Sequence, residues 1–204
     1  MRLWVVRHGQ TEWSETGRHT GRTDVPLLAA GEAQAEAVGQ WLSVLVPQPA
    51  LVLTSPLARA SETCRLAGYG DAASPDEDLQ EWDYGDYEGL TTDQIREQRP
   101  GWTLWTEGVP NGESAAEVGR RADRLVERAR GADGDALYFS HGHMLRVLAA
   151  RWTGLPPAAG RIIALGAAAV CSLGWEREDP VIEHWNMAAD LVPPATAAGG
   201  PSAG

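Results

Sequence analysis

At 204 residues the chain is long enough for one domain with a sizeable core. A formal net charge of −11 and the lack of any basic block argue against a general nucleic-acid binder. The acidic field does not steer anions inward, so any phosphate site has to be a local cluster of cations.

The apolar run Leu3-Trp4-Val5-Val6 reads as a short buried strand that stops at Arg7-His8-Gly9. It begins straight after Met1-Arg2 and is interrupted by charge, so no secretory signal is expected. Residues 31–46 read as a helix with Val38, Trp41, Leu42 and Leu45 on one face, halted by Pro47. Residues 51–54 predict a second short strand. Ser55 and Pro56 follow as the expected N-cap and first residue of a helix, with Arg59 in its first turn. Residues 81–112 are rich in Trp, Tyr, Asp, Glu and Gly and hold one short helical pattern, 91–99. Long semi-regular inserts are usually functional or disordered. The aromatics here argue for a folded flap over the site, with Trp82, Trp102 and Trp105 as candidates for its substrate side.

Residues 114–130 predict a helix opened by the capping-box pair Ser114 and Glu117. A third strand is predicted over 136–139 and a helix over 142–152. Two late strands, 167–175 and 181–185, are divided by the charged turn 176–180. Alternating strands and helices predict an α/β layered domain with a mostly parallel sheet. One domain is expected over 1–190, and 191–204 is expected to be a disordered tail. No apolar stretch approaches the ~20 residues of a membrane span. Cys64 and Cys171 match no metal spacing and read as buried thiols, so a cytoplasmic protein is expected.

Chemistry-bearing residues fall just past three strand ends: Arg7 with His8, Ser55 with Arg59, and His141. In open α/β sheets ligands bind outside the carboxyl ends of the strands, so this topology brings these histidines and arginines into one crevice. Guanidinium forks offset phosphate charge. A neutral imidazole can then attack phosphorus and hold the phosphoryl group covalently. A carboxylic acid kept partly out of water can protonate the leaving oxygen. Glu81, which opens the aromatic segment, is the leading candidate, with Asp83, Asp86 and Glu88 as competitors. A second histidine can donate to the oxygens that gain charge. His141 and His143 also form a His-x-His pair, but no carboxylate cluster or third histidine accompanies it, so neither metal nor other cofactor is expected.

The segments Arg7-His8-Gly9-Gln10-Thr11-Glu12-Trp13, 20–27, 54–60, 79–89, 112–114 and Ser140-His141-Gly142-His143 resemble, in order, those of the histidine phosphatase superfamily. That family includes cofactor-dependent phosphoglycerate mutases. The likeness covers nearly the whole chain up to about Trp185. Residues 82–85, 91–97 and 141–143 are similar to the acid phosphatase-like branch of mycobacteria and other actinobacteria. The resemblance implies a three-layer α/β/α sandwich and hydrolysis of small phosphate monoesters through phosphohistidine at His8. It also implies that Arg7, Arg59 and His141 complete the phosphate pocket and that Glu81 is the proton donor. Gln10, Thr20, Gly21 and Gly142 are implied at substrate-binding positions. So is Ser14, which stands where many relatives carry a phosphate-contacting Asn. Dimers occur in the family, so a homodimer is compatible with it.

Three readings compete. The first is a phosphomonoesterase of broad specificity with its rate optimum on the acidic side of neutrality, because attack needs neutral His8 and leaving-group protonation needs protonated Glu81. The second is a mutase, which must hold a bisphosphate and needs extra cations. Segment 81–112 offers only Arg96 and Arg99, on an expected solvated face, so cations for a distal group are expected to be missing. The third is a catalytically inactive phospholigand-binding protein, which the full set of candidate residues disfavours.

Overall fold

Period-two alternation in the central strands sets the layers. The computed structural model describes residues 1–187, so the expected tail 191–204 lies outside the described residues. In chain order the elements begin with β1 (Leu3–Arg7), the single turn α1 (Glu12–Glu15), α2 (Ala29–Leu45), β2 (Leu51–Thr54), α3 (Ala58–Leu66) and β3 (Ser74–Pro75). There follow α4 (Thr92–Gln98), α5 (Leu104–Glu107), α6 (Ala115–Arg130), β4 (Ala136–Ser140), α7 (Gly142–Trp152), β5 (Val170–Glu176) and β6 (Asp179–Met187). The strands and long helices expected from the sequence are present. α1 and β3 are too short for periodicity to announce them.

The strands form one sheet in the order β3-β2-β4-β1-β5-β6. The first four run parallel, while β5 and β6 are antiparallel. From β1, Leu3 and Val5 enter one core and Trp4 and Val6 the other. β4 divides in the same way, Ala136 and Tyr138 against Leu137 and Phe139. α6 and α7 close the first core with Leu125, Leu148 and Trp152; α2 and α3 close the second with Val38, Leu42 and Cys64. The result is the three-layer α/β/α sandwich. Cys64 and Cys171 are both buried and free, and burial pushes each thiol up to about 12.

β4, late in the chain, is inserted between β1 and β2, with Val6 and Thr54 both opposite Phe139. Three C-terminal strand ends therefore lie in one row at one edge. The first turn of α2 docks on the loop that follows β1. A Cβ on Gly9 would overlap the Gly31 carbonyl, and one on Gly31 would overlap that of Gln10, so only glycine permits the contact. Segment 81–112 is folded: a Thr91/Gln94 capping box opens α4, and Trp82 and Trp102 are buried. Among the described residues no helix is long and apolar enough to cross a membrane.

Candidate active site

His8 leaves the end of β1 with its backbone amide donating to the Ser140 carbonyl at 3.0 Å. Its Nδ1 lies 2.7 Å from the Gly9 carbonyl. A carbonyl only accepts, so Nδ1 carries the proton and Nε2 keeps a free lone pair. His8 is 4% exposed. Burial, then the cations of Arg7 and Arg59, push its pKa well below the ordinary 6.5. The opposite tautomer is fixed at His141. There Arg59 Nε donates to Nδ1 at 3.1 Å, so Nε2 carries the proton and donates to Ser55 Oγ at 2.8 Å. Burial, then Arg59, hold this imidazole neutral too. The His8 and His141 rings stand 5.3 Å apart, centre to centre.

Ser55 is not the helix cap that its sequence position predicts. α3 opens at Ala58, whose amide donates to Asp24 Oδ1 at 2.8 Å. The buried Ser55 hydroxyl accepts from the Leu57 amide at 3.3 Å, before the helix starts, and from His141 at 2.8 Å, so it joins the local turn to the site. Arg59 turns inward from the first turn of α3 and is fully buried. Besides His141 it donates to the carbonyls of Thr23 at 2.9 Å, Thr20 at 3.1 Å and Gly21 at 2.9 Å. Glu88 takes the other side of that loop, accepting from the Gly21 and Thr23 amides at 2.9 and 3.0 Å. One guanidinium and one carboxylate thus hold segment 20–23 against the site.

Arg7 donates through Nη1 to the Leu165 carbonyl at 2.6 Å, while its buried Nε has no partner among the described residues. Burial works against its charge, and Glu81 is the leading group that works for it. A Cβ on Gly142 would lie 3.4 Å from the Arg7 guanidinium and 3.7 Å from Glu81 Oε2, ordinary contact distances that place the start of α7 against both side chains. Glu81 is 7% exposed. Its Oε1 accepts from the Trp82 and Met144 amides, each at 2.9 Å, and its Oε2 from the His143 amide at 3.0 Å. Glu81 therefore caps α7 in place of His141, whose side chain makes no cap bond. Oε1 has both lone pairs engaged; Oε2 retains one, which is where a proton can sit.

A cavity of about 260 Å³ opens over these groups, lined among others by Arg7, His8, Ser14, Thr20, Glu81 and Gly142. Arg59 and His141 stand behind its wall, and Gln10 and Gly21 are not part of its lining. The Ser14 hydroxyl is engaged in the α1 capping box, donating to the Thr11 carbonyl at 2.9 Å. A second cavity of about 370 Å³ shares His19, Thr92 and His143 with the first, and Trp102 and Trp105 line it. Trp82 belongs to the core instead, its Nε1 donating to the Glu113 carbonyl at 2.8 Å. Burial pushes His19 down to about 4. His143 Nδ1 and the Tyr84 hydroxyl share a 2.6 Å hydrogen bond.

Two findings depart from the sequence reading. Cations beyond the phosphate pocket are not missing: Arg18 and Arg146 line the first cavity from outside segment 81–112, and Arg96 lines the second. Arg121 also has a role that helix periodicity could not signal. It is paired with Glu113 at 2.7 Å and donates to the Asp78 and Gln80 carbonyls at 2.8 Å and to that of Glu81 at 3.3 Å. It pins the stretch of chain that presents Glu81.

A parallel-sheet edge with an imidazole nitrogen free among guanidiniums describes an α/β protein built for phosphoryl groups. The chain belongs to the histidine phosphatase superfamily, branch 1, whose family model matches residues 3–188. An acid phosphatase of Mycobacterium tuberculosis is 46% identical over 177 residues, covering 86% of this chain and 87% of that one. The sedoheptulose 1,7-bisphosphatase of Saccharomyces cerevisiae is 38% identical over 185 residues, 76% of this chain and 68% of that one. The solved structure of an open reading frame product of Mycobacterium tuberculosis superposes with a TM-score of 0.86 at 42% identity, covering 92% of this chain and 98% of that one.

His8, His141 and His143 are all held neutral by burial, below the ordinary 6.5. Below pH 6.5 the unfolded chain takes up protons that the native state refuses, so this stability is full above pH 6.5 and is lost as pH falls towards the native values. Each such proton contributes a slope of up to about 1.4 kcal/mol per pH unit. The thermal midpoint of ligand-free protein is expected to fall between about pH 7.5 and 5.5, above the carboxylate range. A flat midpoint across that window would overturn the neutral-imidazole assignment.

Proposed function

We propose that the protein is a phosphomonoesterase that works through a phosphohistidine at His8. The observation that carries this reading is the tautomer of His8: Nδ1–H is committed to the Gly9 carbonyl, which leaves Nε2 as a nucleophile beside Arg7 in the cavity. Nε2 attacks phosphorus as the P–O bond to the leaving group breaks. Arg7, with its Nε unpartnered among the described residues, offsets the oxygens that gain charge; His141, whose Nε2–H is bound to Ser55 Oγ, joins it when that proton exchanges Ser55 for a phosphoryl oxygen. Arg59 keeps His141 in the tautomer that can donate. Glu81 gives its proton to the leaving oxygen, then takes one from the water that attacks phosphohistidine, and neutral His8 is regenerated. Thr20 and Ser14 shape the mouth of the phosphate pocket, and Gly142 lines it beside Arg7.

The chemistry uses only these side chains, and the substrate is a small phosphate monoester. Water rather than a second substrate oxygen is the acceptor, in keeping with the relatives named as phosphatases. A lack of distal cations no longer weighs against a mutase, since Arg18 and Arg146 are present. Mutase activity stimulated by a bisphosphoglycerate would overturn the choice. Two buried free thiols fit a reducing, cytoplasmic setting.

Mass spectrometry of protein quenched in alkali during turnover is expected to find phosphate on His8. His8→Ala is expected to lose about a thousandfold or more in kcat, and EDTA is expected to change nothing. Full activity in that variant would sink the mechanism. Glu81→Gln is expected to slow alkyl phosphates by about a hundredfold or more and p-nitrophenyl phosphate far less, because its leaving group needs no proton. Equal losses on both substrates would remove Glu81 from the donor role. The pH–rate optimum is expected on the acidic side of neutrality, since burial and the two arginines keep His8 neutral there; a rate still climbing above neutrality would contradict it.

A further inference from the structure

The chain has 17 basic and 28 acidic residues, and every basic one is arginine. The two joined cavities invert that balance. Arg7, Arg18, Arg96, Arg146 and Arg161 line them, with Glu81 as the one carboxylate among the lining residues. Phosphoryl transfer at His8 uses Arg7 and Glu81 and leaves the other arginines without a task.

Arg146 is the most informative of these. It projects from α7 into the first cavity and is half-buried. Nε donates to the Gly160 carbonyl at 3.0 Å and Nη2 to that of Arg161 at 3.2 Å. The guanidinium lies over the Trp105 ring, 4.7 Å from its centre. A Cβ on Gly160 would come within 3.0 Å of Trp105, so the platform is closely packed. Among the described residues no carboxylate pairs with Arg146 or with Arg18. A fixed, partly desolvated guanidinium with only carbonyls for partners keeps its full charge for an anion. Among the described residues Nη1 has no acceptor, so it is left for that ligand.

We propose that the cleft is a two-anion site. The substrate is a phosphomonoester that carries a second anionic group, phosphate or carboxylate, and Arg146 with Arg18 holds that group while His8 takes the first phosphate. This rests on the phosphatase reading for the position of the first phosphate, and fixes the substrate class that the reading leaves open. The Trp105 face and the second cavity beyond His143 give the substrate's carbon skeleton room to extend.

Binding of non-hydrolysable phosphonates tests this apart from turnover. Calorimetry is run with alkylphosphonates of three to six carbons, the matching ω-carboxyalkylphosphonates and the matching α,ω-bisphosphonates. At the best chain length the compounds with a second anion are expected to bind about tenfold or more tightly than the plain alkylphosphonate. Arg146→Gln is expected to erase most of that ratio, Arg146→Lys to restore part of it, and Arg18→Gln to reduce it. The carboxylate and bisphosphonate arms identify which anion the site prefers. If the three series bind alike at every length, or if Arg146→Gln weakens all three equally, the two-anion site is wrong. Unchanged thermal midpoints in the variants separate lost recognition from lost folding. Hydrolysis of p-nitrophenyl phosphate that depends on His8 tests the phosphatase reading separately, and either result can fail without the other.

Discussion

The hydrogen bonds that seat β4 between β1 and β2 bring distant parts of the chain to one edge of the sheet. Val6, Phe139 and Thr54 lie in a row, so the residues after them must emerge together. Backbone amides continue the pairing past the strands, His8 to Ser140 and Ser55 to Phe139. Side-chain geometry at the site inherits its accuracy from this parallel register. A slip of one residue would turn His8 and His141 to opposite faces.

Desolvation governs what those side chains then become. Two imidazoles packed beside two buried guanidiniums cannot also be cations, so both are neutral, and their tautomers are set by neighbours of fixed polarity. The Gly9 carbonyl can only accept and Arg59 can only donate, which leaves His8 with a lone pair on Nε2 and puts the His141 proton on Nε2, where Ser55 Oγ accepts it. The same economy appears at Glu81, whose carboxylate both caps α7 and faces the cavity. Arg121 holds the carbonyls of Asp78, Gln80 and Glu81, so donor position depends on a residue of α6 that does not line the cavity.

Much of this was legible in the sequence because it is local. Alternating apolar residues define β1, β2 and β4, the Ser114/Glu117 pair marks the start of α6, and the residues past each strand end give the chemistry. Ser55 shows where local reading stops. A hydroxyl before a helix has the pattern of a cap, yet besides the Leu57 amide it serves a histidine 86 residues away. Arg121 and Arg146 escaped for the same reason: an arginine on a helix reads as solvated until its carbonyl partners are known; Arg18 is exposed, and only the fold puts it on the cavity wall. Counting cations within segment 81–112 missed those supplied to the cleft by α7 and by the loop after α1.

Neutral burial of His8, His141 and His143 makes occupancy matter for the lifetime of the fold. A phosphorylated ligand binds the native state and not the unfolded chain, so it adds stability that grows with the logarithm of its concentration over its dissociation constant. Falling pH works on the same equilibrium with the opposite sign, because the unfolded chain takes up the protons that the buried imidazoles refuse. Ligand and proton thus compete through the folding equilibrium without sharing a binding atom.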